Sequence, residues 1–83
     1  MKPRKVYEKI LDGSRNIRFE DACKLAKAFG FCLDRTSGSH HIFVHPGIPP
    51  NLNFQPDRNG QAKPYQLRQL LALVEEYGLI LAD

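Results

Sequence analysis

A chain of 83 residues with 42% apolar and 25% charged side chains makes one small domain, and apolar residues recurring throughout argue against disorder. Its net charge of +3 favours polyanionic partners without requiring them, and no apolar run approaches the ~20 residues of a membrane span. The early lysines precede no apolar signal segment, and the two cysteines show no CxxC spacing, so reduced thiols and a cytoplasmic location are expected.

Pro3 opens a short helix in which Val6, Tyr7, Ile10 and Leu11 recur at helical spacing, and Gly13 stops it. Residues 14–17 read as a turn. A second helix is expected from Phe19 to Phe29. Phe19, Ala22, Cys23, Ala26 and Phe29 form its apolar stripe, widened by Leu25. Glu20 and Asp21 in its first turn complement the helix dipole, and Gly30 suits the position just past its end. Three short strands follow, at Phe31–Thr36, His40–His45 and Asn51–Gln55. Ser37-Gly38-Ser39 is the first turn. Pro46-Gly47 stops the second strand, and Ile48-Pro49-Pro50 reads as a loop. A polar loop over Pro56–Ala62 leads to the strongest helix, which Pro64 starts and Gly78 ends. Its stripe is Leu67, Leu70, Leu71, Val74 and Tyr77. Leu79, Ile80 and Leu81 form an apolar tail that needs cover. The order α-α-β-β-β-α implies a single α+β domain over 1–83: a two-layer sandwich, with helices on one face of a three-stranded antiparallel sheet.

All three histidines fall within Gly38-Ser39-His40-His41-Ile42-Phe43-Val44-His45. Neutral imidazole is the side chain best suited to move protons near neutral pH. Alternation sets His40, Ile42 and Val44 on one face and His41, Phe43 and His45 on the other. Ile42 and Val44 are the apolar pair expected against the helices, with His40 at the rim beside the turn. A metal site is disfavoured. His41 and His45 lie about 13 Å apart along an extended strand, too far for one ion at bond lengths near 2 Å. Ser39 lacks the partners of a hydrolase nucleophile and fits better as a phosphate or turn contact. Gly38 permits close backbone approach.

RNA cleavage matches this inventory. The 2′-hydroxyl is an internal nucleophile, so an enzyme needs a base, a cation and orientation, and no metal cofactor. A histidine of this strand supplies the base. Lys63, Arg68 or the N-terminal lysines supply the cation, and the start of a helix is a favourable place to meet phosphate. Tyr65 is placed to stack on a base or to pack. The competing reading is a binding module for duplex RNA without catalysis, since shape recognition needs phosphate and 2′-OH contacts only. A protein-interaction domain using the apolar tail is a third.

The run Gly38-Ser39-His40-His41-Ile42-Phe43-Val44-His45-Pro46-Gly47 resembles the signature of the HicA (YcfA-like) toxin family. Ala28-Phe29-Gly30-Phe31 resembles that family's helix-to-strand junction, and Lys63-Pro64, Leu67-Arg68, Leu70-Leu71 and Gly78-Leu79 resemble its last helix. The resemblance spans roughly residues 19–79. It implies a double-stranded-RNA-binding-domain-like fold and a metal-independent endoribonuclease that cleaves mRNA and pairs with a HicB-like antitoxin. It implies His40 as the catalytic histidine. The expected RNA contacts are Gly38, Ser39, His41, Lys63 and Arg68. Residues 1–17 are an addition to the pattern, suited to cover the tail or to add basic surface. The loop after the third strand lacks a further histidine, which leaves the general acid open among His41, His45, Lys63 and solvent.

Overall fold

Two glycine-terminated helices, a three-stranded sheet and a closing helix follow one another along the chain, and the computed structural model describes residues 1–82. The helices are α1 (Pro3–Leu11), α2 (Phe19–Ala28) and α3 (Pro64–Tyr77). The strands are β1 (Cys32–Ser37), β2 (His40–His45) and β3 (Ile48–Phe54), antiparallel in the order β1-β2-β3. The expected α+β architecture and element order are therefore observed.

The core forms where the helical layer meets one sheet face. Val6 of α1, Ala22, Leu25 and Ala26 of α2, and Leu67, Leu70 and Val74 of α3 are buried with Phe43, Leu52 and Phe54. Tyr7 stands edge-on to Phe29, which fixes α1 against the end of α2 (centroids 5.3 Å). The chain before α2 is tied to the long loop: Ile17 O accepts the Ala62 N–H at 2.8 Å, and Gly60 O accepts the Phe19 N–H at 3.1 Å. That second bond satisfies one open donor of α2, whose leading residue Arg18 gives no side-chain cap.

Three expectations are corrected. Phe43, not Ile42 and Val44, faces the helices: Phe43 is 1% exposed, while Ile42 and Val44 are half-buried on the outer face. One large ring at the centre of the layer outweighs two flanking aliphatics, and it meets Phe54 edge-on at 5.7 Å. His40 therefore lies on the open sheet face rather than at the rim of the apolar one. Next, β3 begins at Ile48, so Pro49 and Pro50 belong to the strand instead of a loop. β3 is an edge strand, where a residue without N–H costs no ladder bond on the free side, and its register shifts between Phe43 and His45 of β2. Finally, Tyr77 is 38% exposed and drops out of the α3 stripe, while Leu73 packs against the core.

The apolar tail is largely covered. Leu79 and Leu81 pack on the core and the Ala82 N–H bonds Ala28 O at 2.9 Å, leaving Ile80 outward. Asp83, the last residue of the expected domain, lies outside the described residues.

Candidate active site

A two-residue turn sets the geometry. Ser37 pairs with His40 across the β1–β2 hairpin, so Gly38 and Ser39 alone make the reversal. Gly38 has φ +59° and Ser39 does not have positive φ, the pattern of a type II′ turn, which favours glycine first. A Cβ at Gly38 would meet nothing within 4 Å, so this backbone is open to an approaching group.

The turn delivers His40 and His41 to opposite faces of one sheet end. His40 is exposed, with Nδ1 at 3.4 Å from Asn53 Oδ1. His41 is half-buried, edge-on to Phe19 at 4.8 Å between centroids, with Nδ1 at 3.1 Å from Ser39 O. Carbonyl and amide oxygens only accept, so in both rings Nδ1 carries the proton and the neutral ring keeps a lone pair on Nε2. That is the form a general base requires.

Ser39 anchors a polar chain reaching to α3. Gln55 Nε2 donates to Ser39 Oγ at 3.0 Å, and Lys63 Nζ donates to Gln55 Oε1 at 3.4 Å. Gln66, only 5% exposed, fixes Gln55 by accepting its backbone N–H at 2.9 Å, and gives its own amide N–H to Tyr65 Oη at 3.3 Å. Five expected residues, Gly38, Ser39, His40, His41 and Lys63, thus gather at the hairpin tip and the start of α3. Arg68 takes no part in this network. It lines a cavity between α3 and the α1–α2 connection.

His45 at the far end of β2 is committed to structure. Its ring meets Phe31 edge-on at 5.1 Å, and its Nδ1 accepts the Gly47 N–H at 3.1 Å. A Cβ at Gly30 would stand 2.8 Å from its Nε2. These contacts remove His45 from the candidate proton carriers.

Gln55, Gln66 and Asn53 were not expected to take part. Gln66 carries a readable signal: it precedes Leu70 and Val74 by four and eight residues and so falls on the buried stripe, where a polar group needs a partner. Gln55 and Asn53 carry none, because their roles arise only where β3 passes β2 and α3.

Among the described residues no cluster of three or more His, Cys, Asp or Glu converges on a point. The site offers imidazole, hydroxyl, amide and ammonium groups. It suits an anionic substrate whose own hydroxyl is the nucleophile. Compared with known proteins, the chain matches over residues 19–75 the model of the family described as HicA toxin of bacterial toxin-antitoxin. No curated protein and no solved structure matches it.

Proposed function

The chain belongs to the HicA toxin family, and so is a toxin of a bacterial toxin–antitoxin pair with an antitoxin as its partner; on that premise we propose that it is a metal-independent endoribonuclease that cleaves mRNA in the cytoplasm. The observation that carries this reading is the exposed His40 imidazole, with Nε2 uncommitted, one residue from a hydrogen-bonded Ser39–Gln55–Lys63 chain.

His40 Nε2 takes the proton of the ribose 2′-hydroxyl. The 2′-oxygen attacks the adjacent phosphorus, the bond from phosphorus to the 5′-oxygen breaks, and that oxygen leaves with a proton from solvent. The products are a 2′,3′-cyclic phosphate and a 5′-hydroxyl, so no water is consumed in this step. Ser39 Oγ and the open backbone at Gly38 hold the phosphate. The Lys63 ammonium steadies the charge that develops on its oxygens. Arg68 contacts the strand further along. A HicB-like antitoxin silences the toxin by covering the hairpin tip, since occluding one imidazole stops the proton transfer.

The test is cleavage of an end-labelled RNA in excess chelator by wild type and by His40→Ala, with the product ends identified by mass. A loss of roughly 10²–10⁴-fold is expected for the variant, the usual contribution of a general acid or base. Equal cleavage by the two proteins removes His40 from the chemistry. Binding without cleavage by wild type points instead to a non-catalytic duplex-RNA module.

A further inference from the structure

A cavity of about 230 Å³ lies between the α1–α2 connection and the first turns of α3. Its floor is apolar, made by Ile10, Pro64 and Leu67, with Ser14 on the wall. Two guanidinium groups frame it, Arg15 from the connection and Arg68 from α3, and no carboxylate lines it. Among the described residues neither arginine has a hydrogen-bond or ion-pair partner. Two like charges around one cavity repel, and an anion between them relieves that repulsion. Planar guanidinium forks match phosphate oxygens, while the apolar floor suits the flat face of a base. The volume falls below the ~300–1,000 Å³ of clefts that enclose drug-sized ligands, which restricts the occupant to about one nucleotide unit.

The cavity adjoins the candidate active site along the chain. Pro64 on its floor directly follows Lys63, whose ammonium is joined through Gln55 to Ser39. Arg68 lies five residues beyond Lys63, about 7.5 Å along the helix axis. Residues 10–15 precede the family-matched span, so four of the seven residues lining this cavity come from the segment that extends the family pattern. We propose that this cavity is a second RNA subsite: Arg15 and Arg68 grip one backbone phosphate of the strand leaving the hairpin, and its base rests on Ile10, Pro64 and Leu67. The proposal rests on the ribonuclease reading above and adds the length of strand that the protein grips.

The test uses the full chain with fluorescein-labelled single-stranded RNAs of graded length. These carry 2′-O-methyl groups, which block cleavage and leave His40 intact. Anisotropy is read across a salt series for wild type, Arg15→Gln, Arg68→Gln and the double variant, with thermal melts to confirm folding. On the longer oligomers the double variant is expected to bind roughly tenfold more weakly at low salt, with the slope of log K against log salt reduced by about 0.7, the value for one phosphate of a single strand. The shortest oligomers, which fill the hairpin site alone, lose nothing. Unchanged slope and affinity in a folded double variant, with wild type binding RNA normally, overturns the subsite and leaves the ribonuclease reading standing. So does a loss confined to antitoxin binding, which makes the two arginines a contact for acidic protein side chains. Failure of wild type to bind any oligomer defeats the ribonuclease reading and the subsite together.

Discussion

The two ends of strand β2 carry the same residue type and use it in opposite ways. At the first end, His40 is exposed and His41 half-buried, each with Nε2 unengaged, beside a turn whose backbone nothing covers. At the last end, His45 is edge-on to Phe31, bonded to the Gly47 N–H and pressed against Gly30. The six residues of β2 hold a reactive arrangement at one end and a structural one at the other. A histidine takes its role from its neighbours rather than from its spacing. An imidazole whose acceptor nitrogen is already spent, and whose edge abuts backbone, has no free lone pair to accept a substrate proton.

The sharpest way to break this contrast is to exchange the losses. His40→Ala is expected to cost roughly 10²–10⁴ in cleavage with a nearly unchanged melting temperature, because its ring is exposed. His45→Ala is expected to keep cleavage per folded molecule and lose about 1–2 kcal/mol of stability, from the ring contact and the bond to Gly47. Cleavage assays beside denaturant titrations of both variants decide it. Catalytic loss in the His45 variant at full folding would erase the distinction.

The two glycines that serve these ends sharpen the same point. Gly30 has φ +98° and Gly38 φ +59°, conformations that strain any side chain. At Gly30 the added Cβ also collides with the His45 ring, whereas at Gly38 it enters open space. Gly30→Ala is expected to destabilise by about 2–3 kcal/mol and Gly38→Ala by about 1–2 kcal/mol. Only the second should alter cleavage in the folded protein, because it shifts the turn that aims His40. Equal stability losses in urea titrations argue that strain alone, and not the packed histidine, governs the Gly30 end.

A smaller effect is expected from Gln55→Ala. The change severs the Ser39–Gln55–Lys63 chain and leaves both histidines in place. KM should rise several-fold and kcat change little, the signature of lost binding shared by ground and transition states. A fall in kcat equal to that of His40→Ala would instead make the network part of the proton transfer.

Much of this contrast was legible in the chain before folding. The bounds of β2, the turn after β1, and Gly30 at the end of α2 follow from local periodicity and glycine chemistry. The resemblance implies His40 as the catalytic histidine, the sequence reading adds Lys63 as an RNA contact, and Lys63 reaches Ser39, the neighbour of His40, through Gln55. Which face of β2 is buried was not legible. Alternation yields two sets, and the choice between Phe43 and the Ile42–Val44 pair depends on the shape of the helical layer above. The shift in β1 between Leu33 and Arg35 and the one opposite β3 also break the simple period. Pro49 and Pro50 read as strand breakers because their tolerance depends on β3 being an edge. The amides of Gln55 and Asn53 gain their roles only from tertiary neighbours.

The smallest expected effect uses the cysteines as probes of the structural end. Cys32 is exposed on β1 opposite Val44, four residues along β2 from His40, or about 13 Å. Cys23 lies half-buried on α2, and burial raises its pKa to about 11, with nearby Lys27 opposing weakly. Its folded pKa lies above the unfolded value, so the folded protein holds this proton more tightly. Cys23 therefore leaves stability unaffected below about pH 9 and lowers it only as pH rises from 9 towards 11, where the unfolded thiol ionises first. At pH 8 a maleimide should label the native chain once, at Cys32, and twice after denaturation, as counted by mass. Cleavage by the singly labelled protein should match the unlabelled protein. The adduct stands at the end of β2 where His45 is packed, and a bulky group there reaches neither the Gly38 turn nor Lys63. Loss of cleavage on single labelling would mean that substrate covers the whole open sheet face, and the two ends would then belong to one site.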